Sequence, residues 1–317
     1  MPISFFAVVM GLAGWAIAWE KTEEIFALPL QPSVYLLGFA ALVFALLVVA
    51  YTVKLVRHSK FVIAELRHPV KLNFFPTLSI SLVLLAIGTQ HSAPTVSQGL
   101  WIAGATAHLA FTLFVLGTWI DQTVFEIQHL NPAWFIPVVG NILIPIAGVD
   151  HASPGNFLVL LQHRAGFWIV LFTVIVYRVI FHHPIPERLV PTLFILVAPP
   201  AVGFLAYVRL NEGLDHFARI LFYCALFLTL LLATQLSKFT RLRFFLSWWA
   251  YSFPLAAMTI ATEVMYGQTG AVGFKYLAIV LLAILSIIVI GLTVRTGLAI
   301  VRARSALKKA ESRQTVR

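Results

Sequence analysis

The chain has 317 residues, 60% of them apolar and only 11% charged, with a mean hydropathy of +0.93 and a net charge of +10. About a quarter of the residues in a soluble domain are charged, so this composition excludes a soluble enzyme or binding module and describes a polytopic membrane protein. The positive charge does not mark a nucleic-acid binder, because it is spread over loops and a C-terminal tail, and the single cysteine, Cys224, excludes an intrachain disulfide and any paired-cysteine metal or redox motif.

In chain order, Met1 and Pro2 lead into a first span over 3–19 with neither the basic n-region nor the small-residue cleavage site of a signal peptide. Regular apolar stretches lie at 34–56, 97–118, 157–181, 214–236 and 271–294, and none of the 16 prolines falls in them. Between them come 74–90, 133–149, 190–208 and 246–266, each of which contains proline. Stretches of about 17 to 25 residues suffice to cross a hydrocarbon core of about 30 Å. A backbone group without a partner costs several kcal/mol in lipid, so the proline-bearing spans belong where protein or a water-filled cavity covers them. The alternation repeats in parallel, and parallel repeats close naturally about an axis normal to the bilayer. The reading is an all-α membrane protein of ten transmembrane helices, arranged as five parallel helical hairpins around a central pore. Each hairpin places its proline-bearing helix inside. Residues 1–301 form the transmembrane domain and 302–317 a short basic tail.

The charges orient this arrangement. With both termini in the cytoplasm, 17 of the 22 basic residues fall inside, among them Lys54, Arg57, Lys60, Lys71, Arg188, Lys238 and seven from Arg295 onward. The opposite loops carry Glu20, Glu23, Glu24, Asp150 and Glu212 against Lys21, Arg209 and Lys275. The positive-inside rule is satisfied. Trp15, Trp19, Trp101, Trp119, Trp134, Trp248 and Trp249 fall near span ends and read as interfacial anchors. Glycines such as Gly11, Gly14, Gly104 and Gly140 allow close helix approach or leave lumen space.

Ionisable residues inside spans are functional candidates by default, and here they are His108, His163, Arg164, Arg219 and Glu263. The first four lie on regular helices and read as peripheral, with Arg219 pairing with Asp215 four residues before it. Glu263 lies on a proline-bearing helix, ten residues or roughly 15 Å beyond Phe253, which puts its carboxylate at the outer mouth. His182, His183 and Glu187 have a ligand-like pattern but read as a hydrated loop, and His108 with His163 is the one pair that could hold a haem. No HExxH, GxSxG or phosphate-binding loop occurs. No catalytic residue, metal or cofactor is therefore expected.

Four strings in collinear order carry a resemblance: His68-Pro69-Val70-Lys71-Leu72-Asn73-Phe74-Phe75, Val138-Val139-Gly140-Asn141, Ala198-Pro199-Pro200, and Trp248-Trp249-Ala250-Tyr251-Ser252-Phe253-Pro254. The chain resembles the family that joins bacterial tellurite-resistance membrane proteins, yeast malate permease and plant guard-cell slow-type anion channels, and the third span and the ninth are most similar to the plant channels. The resemblance implies a homotrimer in the plasma (inner) membrane with one pore per subunit. Each pore would pass small monovalent anions such as chloride and nitrate passively and be occluded by a phenylalanine, which Phe253, directly before Pro254, matches. Proline at 254 disfavours helical geometry at the preceding residue, so Phe253 is expected to be turned off the helical track into the lumen. Candidate lining residues are Thr77, Ser79, Ser81, Pro137, Asn141, Pro199, Pro200, Ser252 and Thr259, whose hydroxyls would help stabilise an anion together with positive helix ends and a basic vestibule. The long N-terminal region through which kinases regulate the plant channels has no match here, so kinase control is not expected to carry over. A dicarboxylate or tellurite-type oxyanion transporter, with or without proton coupling, is the alternative that the resemblance leaves open.

Overall fold

The computed structural model describes residues 1–121, 125–151, 155–211 and 213–314 and, within these, no side chains at 155–167, 304 and 306–314. Every regular element among the described residues is helical. The α-helices are α1 (Phe6–Phe26), α2 (Pro32–Arg57), α3 (Ser59–Leu66), α4 (Pro76–Gly88), α5 (Pro94–Asp121) and α6 (Ile136–His151). They continue with α7 (Gly155–Phe181), α8 (Ala198–Asn211), α9 (His216–Ala233), α10 (Leu236–Thr240), α11 (Ser252–Thr269) and α12 (Val272–Gln314).

The prolines mark a change of helix type. Each of α1, α4, α6, α8 and α11 is preceded directly or within one residue by a 3-10 segment, at Ile3–Phe5, Lys71–Phe74, Pro132–Phe135, Glu187–Val197 and Leu246–Tyr251. Among the described residues, none of α2, α5, α9 or α12 has such a lead-in. Pro76, Pro137, Pro199, Pro200 and Pro254 all fall in the first turn of the α-helix that follows. A first-turn N–H has no intrahelical acceptor, so a residue lacking that hydrogen is tolerated there, and its fixed φ suits the helix start. This amends the expectation that Pro254 deflects Phe253. Phe253 is itself within α11 and keeps helical geometry. Pro145, inside α6, and Pro191, inside the 3-10 segment Glu187–Val197, are the exceptions.

Helix packing sorts the two kinds into two layers. The proline-bearing helices contact one another in a closed ring, α1 to α4, α4 to α6, α6 to α8, α8 to α11 and α11 back to α1, and each also packs on the helix that follows it in the chain. Among the described residues, eight helical segments are long and apolar enough to cross a bilayer. Of these, the four inner windows are 61–83% buried and the four outer ones 11–33%. The expected count of ten exceeds this by two: α11 is not among the eight, and of 157–181 only Trp168–Phe181 is recognised, as a shorter apolar helix. Close approach of α1 and α11 depends on glycine. A Cβ on Gly11 would lie 2.2 Å from Ser252 Oγ, and one on Gly14 would lie 3.0 Å from Ala256 Cβ.

The start of the chain and the C-terminal half of α12 lie on one face, the terminal face. Trp249 Nε1 donates to Thr296 Oγ1 of α12 at 2.9 Å, and the Arg295 guanidinium sits 5.1 Å from the Trp248 ring, close to where Pro2 and Ile3 lie. Trp249 is 1% exposed and is a packing residue, not the interfacial anchor its position suggests. Asp215 caps α9 through the Ala218 N–H at 2.8 Å and accepts from Tyr207 Oη at 2.6 Å, in place of the expected Arg219 pair. The side chains of His163 and Arg164 lie outside the described residues.

Candidate functional site

Two cavities lie on the axis of the five-helix ring, one of about 280 Å³ on the terminal face and one of about 430 Å³ on the opposite face. Their linings come only from α1, α4, α6, α8, α11 and the segments adjoining them. One described residue, Phe253, lines both. Its side chain is nearly buried, at 7% exposure, and its ring lies 3.6 Å from where a Cβ would stand on Gly14.

The walls follow helical phase. On α1 the lining runs through Ala7, Met10, Gly14, Ile17, Lys21 and Glu24; on α4 through Thr77, Ile80, Leu84 and Ile87; on α11 through Phe253, Ala257, Ile260, Val264 and Gln268. Steps of three and four residues keep one face of an α-helix turned the same way. Where the two linings adjoin along the other four inner helices, the residues are Met10 and Gly14, Ile80 and Leu84, Val139 and Leu143, and Ala198 and Val202, with no charge among them. Charges appear only toward the mouths. The cavity on the terminal face carries His68, Lys71 and Arg188, and the opposite one Glu20, Lys21, Glu24, His91 and Arg209.

Of the residues singled out from sequence, Phe253, Pro254 and Thr77 lie on these walls. Glu263 does not. Ten residues at 100° each leave it about 80° out of phase with Phe253, so its carboxylate is turned into the α1–α11 interface, where it is 1% exposed and bonded to Thr22 Oγ1. Ser81, Ser252 and Thr259 are fully buried and donate to backbone carbonyls of their own helices, those of Thr77, Trp249 and Leu255. Pro199 and Pro200 are buried outside both linings.

Ser79, Pro137 and Asn141 meet behind the lumen around His108 of α5. Ser79 Oγ lies 2.9 Å from His108 Nδ1, and His108 Nε2 lies 3.1 Å from the Pro137 carbonyl. That carbonyl also accepts from Thr112 Oγ1 and Asn141 Nδ2, both at 2.9 Å. A carbonyl only accepts, so Nε2 carries the ring hydrogen and Nδ1 faces the serine. This polar knot ties an outer helix to two walls of the ring.

His68, Lys71 and Arg188 did not stand out individually in the sequence, although two of them sit in the His68–Phe75 string. His68 Nδ1 accepts from the backbone N–H groups of Val70 at 3.1 Å and Lys71 at 3.4 Å. Burial pushes the His68 imidazole below its ordinary range, and the Lys71 and Arg188 charges push it the same way.

Comparison with known proteins points the same way as the geometry. Residues 1–297 match the family model described as voltage-dependent anion channel, SLAC1. The chain is 29% identical over 287 residues to an uncharacterized transporter of Methanocaldococcus jannaschii, covering 83% of this chain and 84% of that one. It is 29% identical over 303 residues to the S-type anion channel SLAH2 of Arabidopsis thaliana, covering 92% of this chain and 58% of the plant protein. It is 26% identical over 277 residues to a tellurite resistance protein TehA homolog of Haemophilus influenzae, covering 84% and 81%. The chain thus spans little more than half the length of that plant relative.

Proposed function

The chain belongs to the voltage-dependent anion channel family, and from that premise we propose that it is a passive channel for small monovalent anions such as chloride and nitrate, with Phe253 as the side chain that occludes its pore. It is an integral membrane protein of a family of anion channels and transporters. The observation that carries the finer reading is that Phe253, alone among the described residues, lines both axial cavities. A single ring standing between two open chambers is what a plug requires.

The terminal-face cavity suits an anion. Lys71 and Arg188 line it with no carboxylate among its described walls. The first turns of all five inner α-helices border it, through Ala7, Thr77, Ile136, Ala198 and Phe253, so their positive ends converge there. Weak, solvated sites of this kind hold an anion without trapping it, as conduction needs. The reading includes a homotrimer in the plasma (inner) membrane with both termini cytoplasmic, so that this cavity opens to the cytoplasm.

Reversal potentials in planar bilayers under chloride, nitrate and malate gradients test the proposal. A shift close to Nernstian for chloride and nitrate, unaffected by a pH gradient, is the expected result. Cation-selective current, or malate uptake that requires a proton gradient, would move the assignment to a carrier of dicarboxylates or oxyanions.

His68 adds a pH dependence. Because its folded state disfavours the charged ring, the imidazole gains its proton at a lower pH than an ordinary histidine does. Acidifying the terminal face should therefore add a positive charge to the cavity and raise anion current, while the His68→Gln variant should lose that rise. The sign for stability is the reverse, since protonation favours the unfolded chain as pH falls. A fall in anion current on acidification that needs His68 would contradict this placement.

A further inference from the structure

We infer that the two mouths of the pore differ in electrostatic sign, and that anion conduction is therefore rectified, anions passing more readily from the terminal face toward the opposite face than in reverse. This rests on the channel reading and adds its direction.

On the terminal face, Lys71 and Arg188 line the cavity unopposed. The nearest acid along the chain, Glu187, is outside the lining, with its Oε1 3.4 Å from the Arg243 N–H. On the opposite face each lysine and arginine of the described wall has its own acid. Lys21 Nζ is 2.7 Å from Glu24 Oε2, His91 Nδ1 is 3.4 Å from Glu20 Oε1, and Arg209 Nη2 is 2.8 Å from Asp150 Oδ2. Gln90, also of that wall, bonds the same Asp150 carboxylate. Glu23 lies behind the rim and is occupied by the N–H of Ser33 at 2.8 Å and its hydroxyl at 2.5 Å.

An anion at the terminal face therefore meets uncompensated positive charge, and one at the other face meets closed ion pairs with an excess of carboxylate around them. A one-signed cleft raises the local concentration of its counter-ion. Entry rates into a pore scale with concentration at its mouth, so in symmetrical solutions the currents at voltages of equal size and opposite sign are unequal. Lys71 and Arg188 are solvent-exposed, which makes the effect sensitive to salt.

The test is single-protein current in planar bilayers under symmetrical chloride at voltages of equal size and opposite sign, with orientation scored by which chamber's protease removes a tag attached at Arg317. In roughly 0.01 M salt, where the screening length is about 30 Å, chloride flow from the terminal face should exceed the reverse by about twofold or more. In roughly 1 M salt, where that length is about 3 Å, the ratio should approach one. Replacing the far-side acids together, Glu20→Gln, Glu24→Gln and Asp150→Asn, leaves Lys21 and Arg209 unopposed and should bring the low-salt ratio close to one. Lys71→Gln with Arg188→Gln should do the same from the other side. Chloride current that is linear in low salt, or a ratio that neither set of variants changes, overturns the inference while leaving the channel reading intact. Absence of any anion current overturns that reading and the inference with it.

Discussion

Phe253→Ala is expected to raise anion conductance severalfold with little loss of folded protein. The ring stands between chambers of about 280 and 430 Å³ and is the one described side chain common to both. Removing all but its Cβ joins them, because the walls at that level are aliphatic side chains and Gly14, which cannot reach across to refill the gap. A phenylalanine enclosed on every side by the core costs about 3 to 5 kcal/mol on truncation to alanine. Phe253 is packed at its edges but faces open volume above and below, so the stability loss should fall well under that range. The two outcomes separate cleanly. Thermal unfolding in detergent reports the packing role and bilayer conductance reports the plug. A variant that is well folded and conducts no more than the parent removes Phe253 as the occluding group, and one that unfolds without conducting returns it to the core.

The architecture was legible in the sequence to the extent that it rests on proline. An interior proline is disfavoured and one in a first helical turn is not, so the spans carrying Pro76, Pro137, Pro199, Pro200 and Pro254 had to differ from their neighbours, and they form the inner ring. What the prolines do at close range was not legible. They start α-helices after tighter 3-10 segments and do not deflect Phe253, and the change from 3-10 to α geometry depends on how the segments pack, which local preference does not encode.

The site was legible where helical phase was followed and obscure where side-chain chemistry was followed. Thr77 and Phe253 belong to stripes of three- and four-residue steps and lie on the walls. Ser79, Asn141, Ser252 and Thr259 were attractive as polar groups in spans, yet a hydroxyl in a low-dielectric interior is satisfied most readily by a nearby carbonyl of its own or an adjoining helix. Helical phase alone, at 100° per residue from Phe253, turns Glu263, Ser252 and Thr259 away from the lumen. A basic vestibule was expected, but which cations form it was not legible. Lys71 and Arg188 are more than a hundred residues apart, and only ring closure brings them to one cavity.

The second large effect is expected at Gly140. A Cβ there would lie 2.2 Å from His108 Cε1, 2.4 Å from His108 Nε2 and 2.6 Å from Ile80 Cγ1, all closer than real contacts allow. The imidazole cannot swing clear cheaply, since it is fully buried and held at both nitrogens, by Ser79 Oγ and by the Pro137 carbonyl. Gly140→Ala should accordingly destabilise the protein by about 1 to 3 kcal/mol through overpacking, and Gly140→Val by more. The cause can be isolated from a simple glycine-to-alanine change in a helix, which by propensity alone should stabilise by roughly 1 kcal/mol. His108→Ala clears the space the new methyl needs, so the double variant should be more stable than the sum of the two single losses by an amount that measures the clash. Strict additivity in that cycle, read from unfolding midpoints in one detergent, would show that Gly140 is not the seat of the His108 ring. Because this contact and the Pro137 carbonyl are among those that hold α5 on α4 and α6, the same variants should loosen α4 and α6 against each other and raise hydrogen exchange along both, before any change appears at α11 on the far side of the pore.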